Sequence, residues 1–406
     1  MSPSIVFLIA TVIKLALIAF VLLTGVAYIV WVERKVIAHV QVRMGPSRVG
    51  PHGLLQPLAD LVKLIAKEGV IPADVNKPLY LAAPLLSVFM ALISISVIPF
   101  GTSITVFGHK TMMELADVNV GVLLILAVSS LGVYGIALGG WASNSKYSLL
   151  GGLRSSAQMI SYELPMSLAI AAPLLSDGSL SLRNIVQAQH GSWHGIPHWA
   201  IFAFPAPQIF SFIIFMIAAF AETNRIPFDL PEAENELVAG FHVEYSSLGF
   251  AAFSTAEYAN MVTVCSVATL LFLGGWHPLW PVKWGSNFAA PAVFLLAAAL
   301  CIYHGINYVR PFDRITLPVI GAVFLGCAGL FLIPSGVPIL GAVPAALTPI
   351  FWFLAKVCFL LFVFIWIRAT LPRFRYDQLM SFAWKFLFPV ALVNLLLTGF
   401  LVALFS

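Results

Sequence analysis

The chain has 406 residues, of which 60% are hydrophobic and 9% charged, against about a quarter charged in soluble domains. There are too few polar side chains to cover a soluble fold of this size, so the composition points to one integral membrane domain, 1–406. The net charge of +4, from 21 basic and 17 acidic residues, is small and scattered; it gives no reason to expect nucleic acid as a partner and reads as a topology signal.

The N-terminus lacks a positively charged stretch ahead of a small-residue cleavage site, so the first apolar run is expected to remain as a helix. A transmembrane helix needs about 20 apolar residues. Ten runs are candidates: 5–32, 79–99, 118–141, 156–176, 205–224, 248–274, 288–307, 315–333, 345–368 and 382–404. The expected fold class is therefore all-α, a polytopic membrane protein of about ten spans. Between the first two spans, GLLQPLADLVKLIAK (53–67) repeats Leu54, Leu58, Leu61, Val62 and Ile65 on one face, with Asp60, Lys63 and Lys67 opposite. That periodicity predicts an amphipathic helix lying at the interface. Loops after odd-numbered spans hold 15 of the 21 basic residues, and the opposite loops hold only Lys110, Arg183 and Lys283. The positive-inside rule places the basic loops in the cytoplasm and both termini on the far side.

Three segments on the basic side are polar and denser in Gly and Pro than a simple connection needs. The first loop, 33–78, contains ERKVIAHVQVRMGPSRVGPHGLLQPLAD (33–60), in which Arg34, Arg43 and Arg48 offer planar donors near the membrane surface. The second, AETNRIPFDLPEAENELVAGFHVEYSS (221–247), is followed by AEY at 256–258. Between 222 and 257 it gathers seven carboxylates, Glu222, Asp229, Glu232, Glu234, Glu236, Glu244 and Glu257, around one base, Arg225. Like charges at an interface repel, so some of these are expected to share protons. The third, RATLPRFRYDQLM (368–380), carries Arg368, Arg373, Arg375 and Asp377. Topology anchoring is the simplest alternative for the basic segments, and a solvated acidic loop for 222–247.

Ionisable residues inside spans are costly and mark water paths or partners. Glu163, in MISYELPMS, is the clearest; Pro165 can free a backbone carbonyl there, and Tyr162 sits beside it in sequence. A proton relay and a structural hydrogen bond are both open for Glu163. Lys14 and Lys356 either snorkel or pair with carboxylates. His190, His194 and His198 have helical metal spacing, but Gly191, Gly195 and Pro197 break such a helix, so no metal site is expected. The four cysteines fall in apolar runs without C-x-x-C spacing and read as small core residues. Gly135 and Gly139 form a weak G-x-x-x-G packing signal. No redox group or nucleotide site is recognisable.

Taken together, ERK…QVRMGPSRVGPHGLLQPLADLVKLIAKE, ETNRIPFDLPEAENELVAGFHVEYSS and RATLPRFRYDQLM resemble the signature segments of the NuoH family of NADH–quinone oxidoreductase, respiratory complex I, known in mitochondria as NADH dehydrogenase subunit one. The resemblance runs from about 1 to 276 and resumes from about 345 to 404. It implies a membrane-arm subunit forming much of a quinone chamber in the bacterial inner membrane. The substrate would be ubiquinone or menaquinone, with no covalently bound cofactor in this chain. Its partners would be the peripheral-arm subunits of the quinone site, adjacent small membrane subunits and the lipid bilayer. Carried over by position, the quinone chamber would be lined by Arg34, Arg43, Asp60, Arg225, Phe228 and Arg368. The proton path would include Glu163, Glu222, Asp229, Glu232, Glu234, Glu236, Glu244 and Glu257. Two departures stand out: Ser47, where many members have Asn, and 277–344, read as an inserted hairpin of two extra spans that preserves parity. The competing expectations are the related membrane subunit of a proton-pumping hydrogenase or ferredoxin-linked complex, and a free-standing cation transporter, which would often show an inverted repeat.

Overall fold

The computed structural model describes residues 3–106, 109–193, 196–230, 238–280, 284–307, 311–333 and 342–405. Twelve helices carry the fold: α1 (Pro3–Val40), α2 (Gln56–Ala66), α3 (Lys77–Ser96), α4 (Gly121–Ala142), α5 (Lys146–Asp177), α6 (Leu182–Ala188), α7 (Ile209–Glu222), α8 (Ser247–Phe272), α9 (Ala289–Asn307), α10 (Pro311–Phe331), α11 (Ala342–Thr370) and α12 (Tyr376–Phe405). Among the described residues, nine are long and apolar enough to cross a membrane. The chain is an all-α polytopic membrane protein.

Several helices depart from the spans expected of the sequence. At 38 residues, α1 is about 57 Å long, nearly twice the hydrocarbon thickness. Its C-terminal turns therefore leave the apolar layer, and Arg34 and Lys35 ride on a helix rather than in the first loop. The helix α5 begins ten residues before the expected 156 and runs 32 residues with Pro165 and Pro173 inside it. It closes at Gly178, whose φ of 65° places it in the left-handed region; its N–H donates to Leu174. The fifth expected span shortens to the 14 residues of α7, because Pro205 and Pro207 lack amide donors and helix begins only after Gln208. Two short antiparallel ribbons, Ile104–Val106 with His109–Thr111 and Ser192–Trp193 with Ile196–Pro197, were not expected. Both lie in connections on the face opposite the basic loops.

The core lies among α4, α5, α7 and α8, where Tyr162, Phe215, Met261, Leu270 and Phe272 are almost wholly buried. Gly135 and Gly139 work as close-approach points: a Cβ on Gly135 would lie 3.1 Å from the Ala83 carbonyl, and one on Gly139 3.0 Å from Phe253. The expected amphipathic helix is α2, with Leu58, Leu61, Val62 and Ile65 all exposed. Its end is held by Ser247, whose Oγ lies 2.8 Å from the Leu64 carbonyl and 2.9 Å from that of Lys67. The hairpin α9–α10 packs on α11 through Phe294, Phe331 and Phe351, with ring centroids 5.6–6.2 Å apart. Arg310 lies outside the described residues.

Among the described residues, neither embedded lysine pairs with a carboxylate. Lys14 Nζ donates to the Met112 carbonyl at 3.1 Å. Lys356 is 4% exposed and donates to the carbonyls of Leu273, Gly275 and His277 at 2.6, 2.8 and 2.6 Å, beside the face of Trp199. This holds α11 against the turn that follows α8, and Gln189 holds the same turn by donating to the carbonyls of Leu270 and Leu271. His190 packs edge-on against His277, 4.9 Å away; His194 lies outside the described residues. Burial, with His190 second, pushes His277 down to about 4.

Two expectations follow. Lys356→Met strips a donor from three buried carbonyls, each costing roughly 1–3 kcal/mol when left unpaired, so the thermal midpoint of the purified protein should fall by many degrees. The lowered pKa of His277 means the unfolded chain takes up a proton that the fold refuses, so local stability is full above about 6.5 and declines as pH drops towards about 4. Hydrogen-exchange protection around Val186, whose carbonyl contacts the His277 ring, should fall across that window and not above it.

Candidate functional site

The emergent end of α1 sends successive side chains in different directions, as adjacent helical positions must. Arg34 turns to the surface, where Nη1 meets Asp60 Oδ2 of α2 at 2.7 Å; Gln56 donates to the other Asp60 oxygen at 2.8 Å. Glu33 turns inward and is 5% exposed. One of its oxygens pairs with Arg368 at the end of α11, and the other accepts the Tyr258 hydroxyl at 2.8 Å. A buried carboxylate is tolerable here because it meets both a cation and a hydroxyl.

Tyr258 leads to the next pair. The guanidinium of Arg225 lies 4.0 Å from its ring centroid, a cation–π geometry, with Nη2 3.7 Å from Glu257 Oε2. His242 Nε2 approaches the other Glu257 oxygen at 3.5 Å. Arg225 reaches this place because the turn after α7 is clamped to α5. Gln158 Nε2 donates to the carbonyls of Ala221 and Phe228 at 2.9 and 2.8 Å. Asn224, in the left-handed region with φ 49°, donates to Ser155 at 3.0 Å. The backbone of Phe374 bonds the Pro227 carbonyl, and Arg373 meets Asp229 at 3.0 Å. Phe228 is buried between Tyr162 and Phe374.

Deeper in the bundle, Glu163 accepts a hydrogen bond from Ser130 of α4. Glu222, the last residue of α7, lies beside Glu163 and Ser129; its Oε2 is buried with no hydrogen-bond partner among the described residues. It opens onto a small cavity of about 30 Å³ also lined by Ser129, Asn260 and Thr263. Asn260 stands one turn beyond Glu257 on α8, so the ionic cluster and the cavity share a helix face. Asp229 and Glu257 each meet a cation, and for Asp229 that cation comes from a distant segment, 371–375.

The structure thus brings together Arg225, Phe228, Arg368, Glu257, Glu222 and Glu163, with Asp229 at the edge. Arg34 and Asp60 pair at the surface. Arg43 stands apart: its Nε donates to Gln41 Oε1 at 2.8 Å in an exposed loop. Glu244 is also separate, beside Tyr80, whose hydroxyl donates to the Glu244 carbonyl at 2.6 Å. The neighbouring Tyr245 stacks on Tyr80 with centroids 4.2 Å apart. Burial first, then Tyr80, holds its phenol above the usual range. Glu232, Glu234 and Glu236 lie outside the described residues. Tyr162 does not join Glu163 but donates to the Leu379 carbonyl of α12 at 2.9 Å. Sequence reasoning did not single out Glu33, Tyr258, His242, Ser129, Ser130 or Gln158. Polar residues inside apolar runs were the available signal for the serines and Gln158. Nothing local distinguishes Glu33 from a topology flank.

The family model described as NADH dehydrogenase matches residues 13–399. The chain belongs to this family. Among its relatives are H-type subunits of NADH-quinone oxidoreductase from three bacteria. The first H-type subunit of Solibacter usitatus (strain Ellin6076) is 64% identical over 98% of both chains. The second H-type subunit of Koribacter versatilis (strain Ellin345) is 48% identical over 98% of both. The second of Geobacter metallireducens (strain ATCC 53774 / DSM 7210 / GS-15) is 46% identical over 98% of this chain and 97% of its own. An alignment of 397 residues covering 98% of either chain leaves no room for segment 277–344 to be missing from the Solibacter family member. The longer link is shared there, not peculiar to this sequence.

The Glu33 pair offers a direct test of the cluster's energetics. Arg368→Met leaves a buried carboxylate without its cation and should destabilise by on the order of 3 kcal/mol. Adding Glu33→Gln should recover most of that, since an amide still accepts from Tyr258. Thermal unfolding of the wild type, both single variants and the double variant measures the recovery.

Proposed function

We propose that this chain is the membrane subunit that walls the quinone chamber of a proton-pumping NADH–quinone oxidoreductase and holds the first carboxylates of its coupling path. The observation that carries the reading is the line of polar contacts Arg368–Glu33–Tyr258–Arg225–Glu257–His242, in which Glu257 stands one helical turn from Asn260, a residue lining the cavity of Glu222 and its neighbour Glu163. The names of its relatives, subunits of NADH-quinone oxidoreductase, support a quinone as substrate; ubiquinone and menaquinone are the candidates. The names also favour this reading over a hydrogenase-linked subunit or a lone transporter. The basic side, with α2 and the 223–230 turn, faces the cytoplasm of a bacterial inner membrane, and both termini face the periplasm. The redox groups belong to peripheral-arm neighbours at the basic face, and small membrane subunits pack alongside.

The physical step is electrostatic. Reduction of the quinone places negative charge in a chamber bounded by Arg225, Phe228, Arg368 and the Arg34–Asp60 pair. A unit charge about 10 Å away at an effective dielectric near 20 interacts by roughly 1.7 kcal/mol, little more than one pKa unit. That is enough to act on a carboxylate held between two polar partners, such as Glu257 between the Arg225 guanidinium and the His242 ring, and to draw a proton towards the chamber. It is too little to act on Glu163 across the bundle in one jump. The intermediate groups are therefore needed: Glu257 passes its altered charge to Glu222, and Glu222 to Glu163. Asp229, Glu232, Glu234 and Glu236 take the same role.

Glu163→Gln and Glu257→Gln in the assembled complex should keep most quinone reductase activity while lowering protons moved per electron. Wild-type stoichiometry in both variants, measured together with quinone reduction in proteoliposomes, removes these residues from the path.

A further inference from the structure

The cavity at Glu222 does not stop at the polar cluster. On α4 it is lined from Ser129 to Val122, and on α8 from Asn260 to Val267. Seven residues of helix are about 10 Å of rise, a third of the hydrocarbon thickness. Its polar end holds Glu222 with an unpartnered buried oxygen. Its other end is closed by Leu182, the first residue of α6, which is 3% exposed and packs 3.5 Å from where a side chain on Gly121 would begin. Gly121 keeps the gap open on that side: a Cβ there would also lie 3.2 Å from Val97.

Directly behind Leu182 lies a second ionic group on the far face. Arg183 Nη1 bonds Glu114 Oε1 at 3.2 Å and stands 3.8 Å from Asp117. Glu114 is buried at 6% exposed, whereas the Asp117 side chain is half exposed. Lys14, bonded to the Met112 carbonyl, completes the charges facing this group. Burial first, then Asp117, holds the Glu114 carboxyl above the usual range, with Arg183 and Lys14 opposing. It is a carboxyl able to accept a proton from within and hand it to a neighbour in water. Orphaned acid, cavity, one leucine, buried acid and exposed acid follow in sequence across the chain.

Resting on the proposed coupling role of Glu222, we propose that this cavity is a transverse proton passage from Glu222 to the far-side Glu114–Arg183 pair, shut at rest by Leu182. The passage lies within this one chain, separate from any lateral transfer to neighbouring subunits. Opening it requires only that α6 shift Leu182 off Gly121, admitting a file of water to a gap whose walls are otherwise apolar.

The test uses the whole complex in proteoliposomes, without electron donor or quinone, under an imposed pH gradient. Leu182→Ala removes the plug, and passive proton flux should rise about tenfold, as when roughly 1.4 kcal/mol leaves a barrier. Quinone reduction, measured separately, should be unchanged. Adding Glu222→Gln should return the flux to the wild-type level, because the passage begins at that carboxyl. Flux unchanged in Leu182→Ala, or raised but indifferent to Glu222→Gln, overturns the proposal. If the alanine variant fails to assemble, Leu182→Val, smaller by one methylene, is read the same way with a smaller rise expected. Passive flux needs no turnover, so failure here is distinguishable from failure of the coupling path, which is scored by proton stoichiometry during quinone reduction.

Discussion

Removing an ion from water into an apolar bundle costs several kcal/mol even after relaxation, and that cost is offset only by a partner in good geometry. Most of the polar architecture of this chain follows from that constraint. Lys356 sits in the middle of an apolar helix because three carbonyls of one turn converge on it. Glu33 is buried because Arg368 and Tyr258 take one oxygen each. Arg225 is accommodated by an aromatic face and a carboxylate. In each case the partners come from segments far apart in sequence, so the same contacts that make the charge tolerable also fix helices α1, α8 and α11 to one another.

Glu222 departs from that pattern. It has a second acid, Glu163, as its neighbour and one oxygen without a partner among the described residues. A carboxyl so placed is not locked by pairing, so it is free to respond to small changes nearby. Glu33, held by both Arg368 and Tyr258, is a poor candidate for the same behaviour, since a proton there would weaken its ion pair. Rigid pairing at the chamber and a loosely held acid behind it are complementary: the first keeps the geometry, the second responds.

How much of this is readable in the sequence depends on range. Helix existence and the exposed apolar face of α2 follow from periodicity within one segment, and they are found in the structure. The reach of α1 past residue 32 and of α5 back to Lys146 escapes such a reading because charged residues look locally like helix ends, whereas a helix continues past the bilayer wherever its polar face is solvated or paired. The late start of α7 is written in Pro205 and Pro207. The site is legible by residue type, with Glu163, Arg225, Glu257 and Arg368 singled out, but not by pairing. Nothing near Asp229 in sequence identifies Arg373 as its cation, and nothing near Lys356 identifies the 273–277 turn. Long-range pairing is a property of packing.

The two faces of the bundle differ in a way that bears on direction. On the basic face the ionic groups are many, cross-linked and backed by a clamped turn; on the other face, among the described residues, the buried pair of Arg183 with Glu114 stands behind one leucine. Charge held near Arg225 and Arg368 is felt strongly by Glu257 and Glu222, because the groups between them share a low-dielectric interior. The same charge reaches Glu114 only weakly, since Glu114 lies on the far face and Coulomb energy falls with distance. An event at the basic face can therefore change the protonation of Glu222 without changing that of Glu114. A difference in proton affinity between two acids separated by a closable gap is the physical requirement for moving a proton one way, and the asymmetry of this fold supplies it.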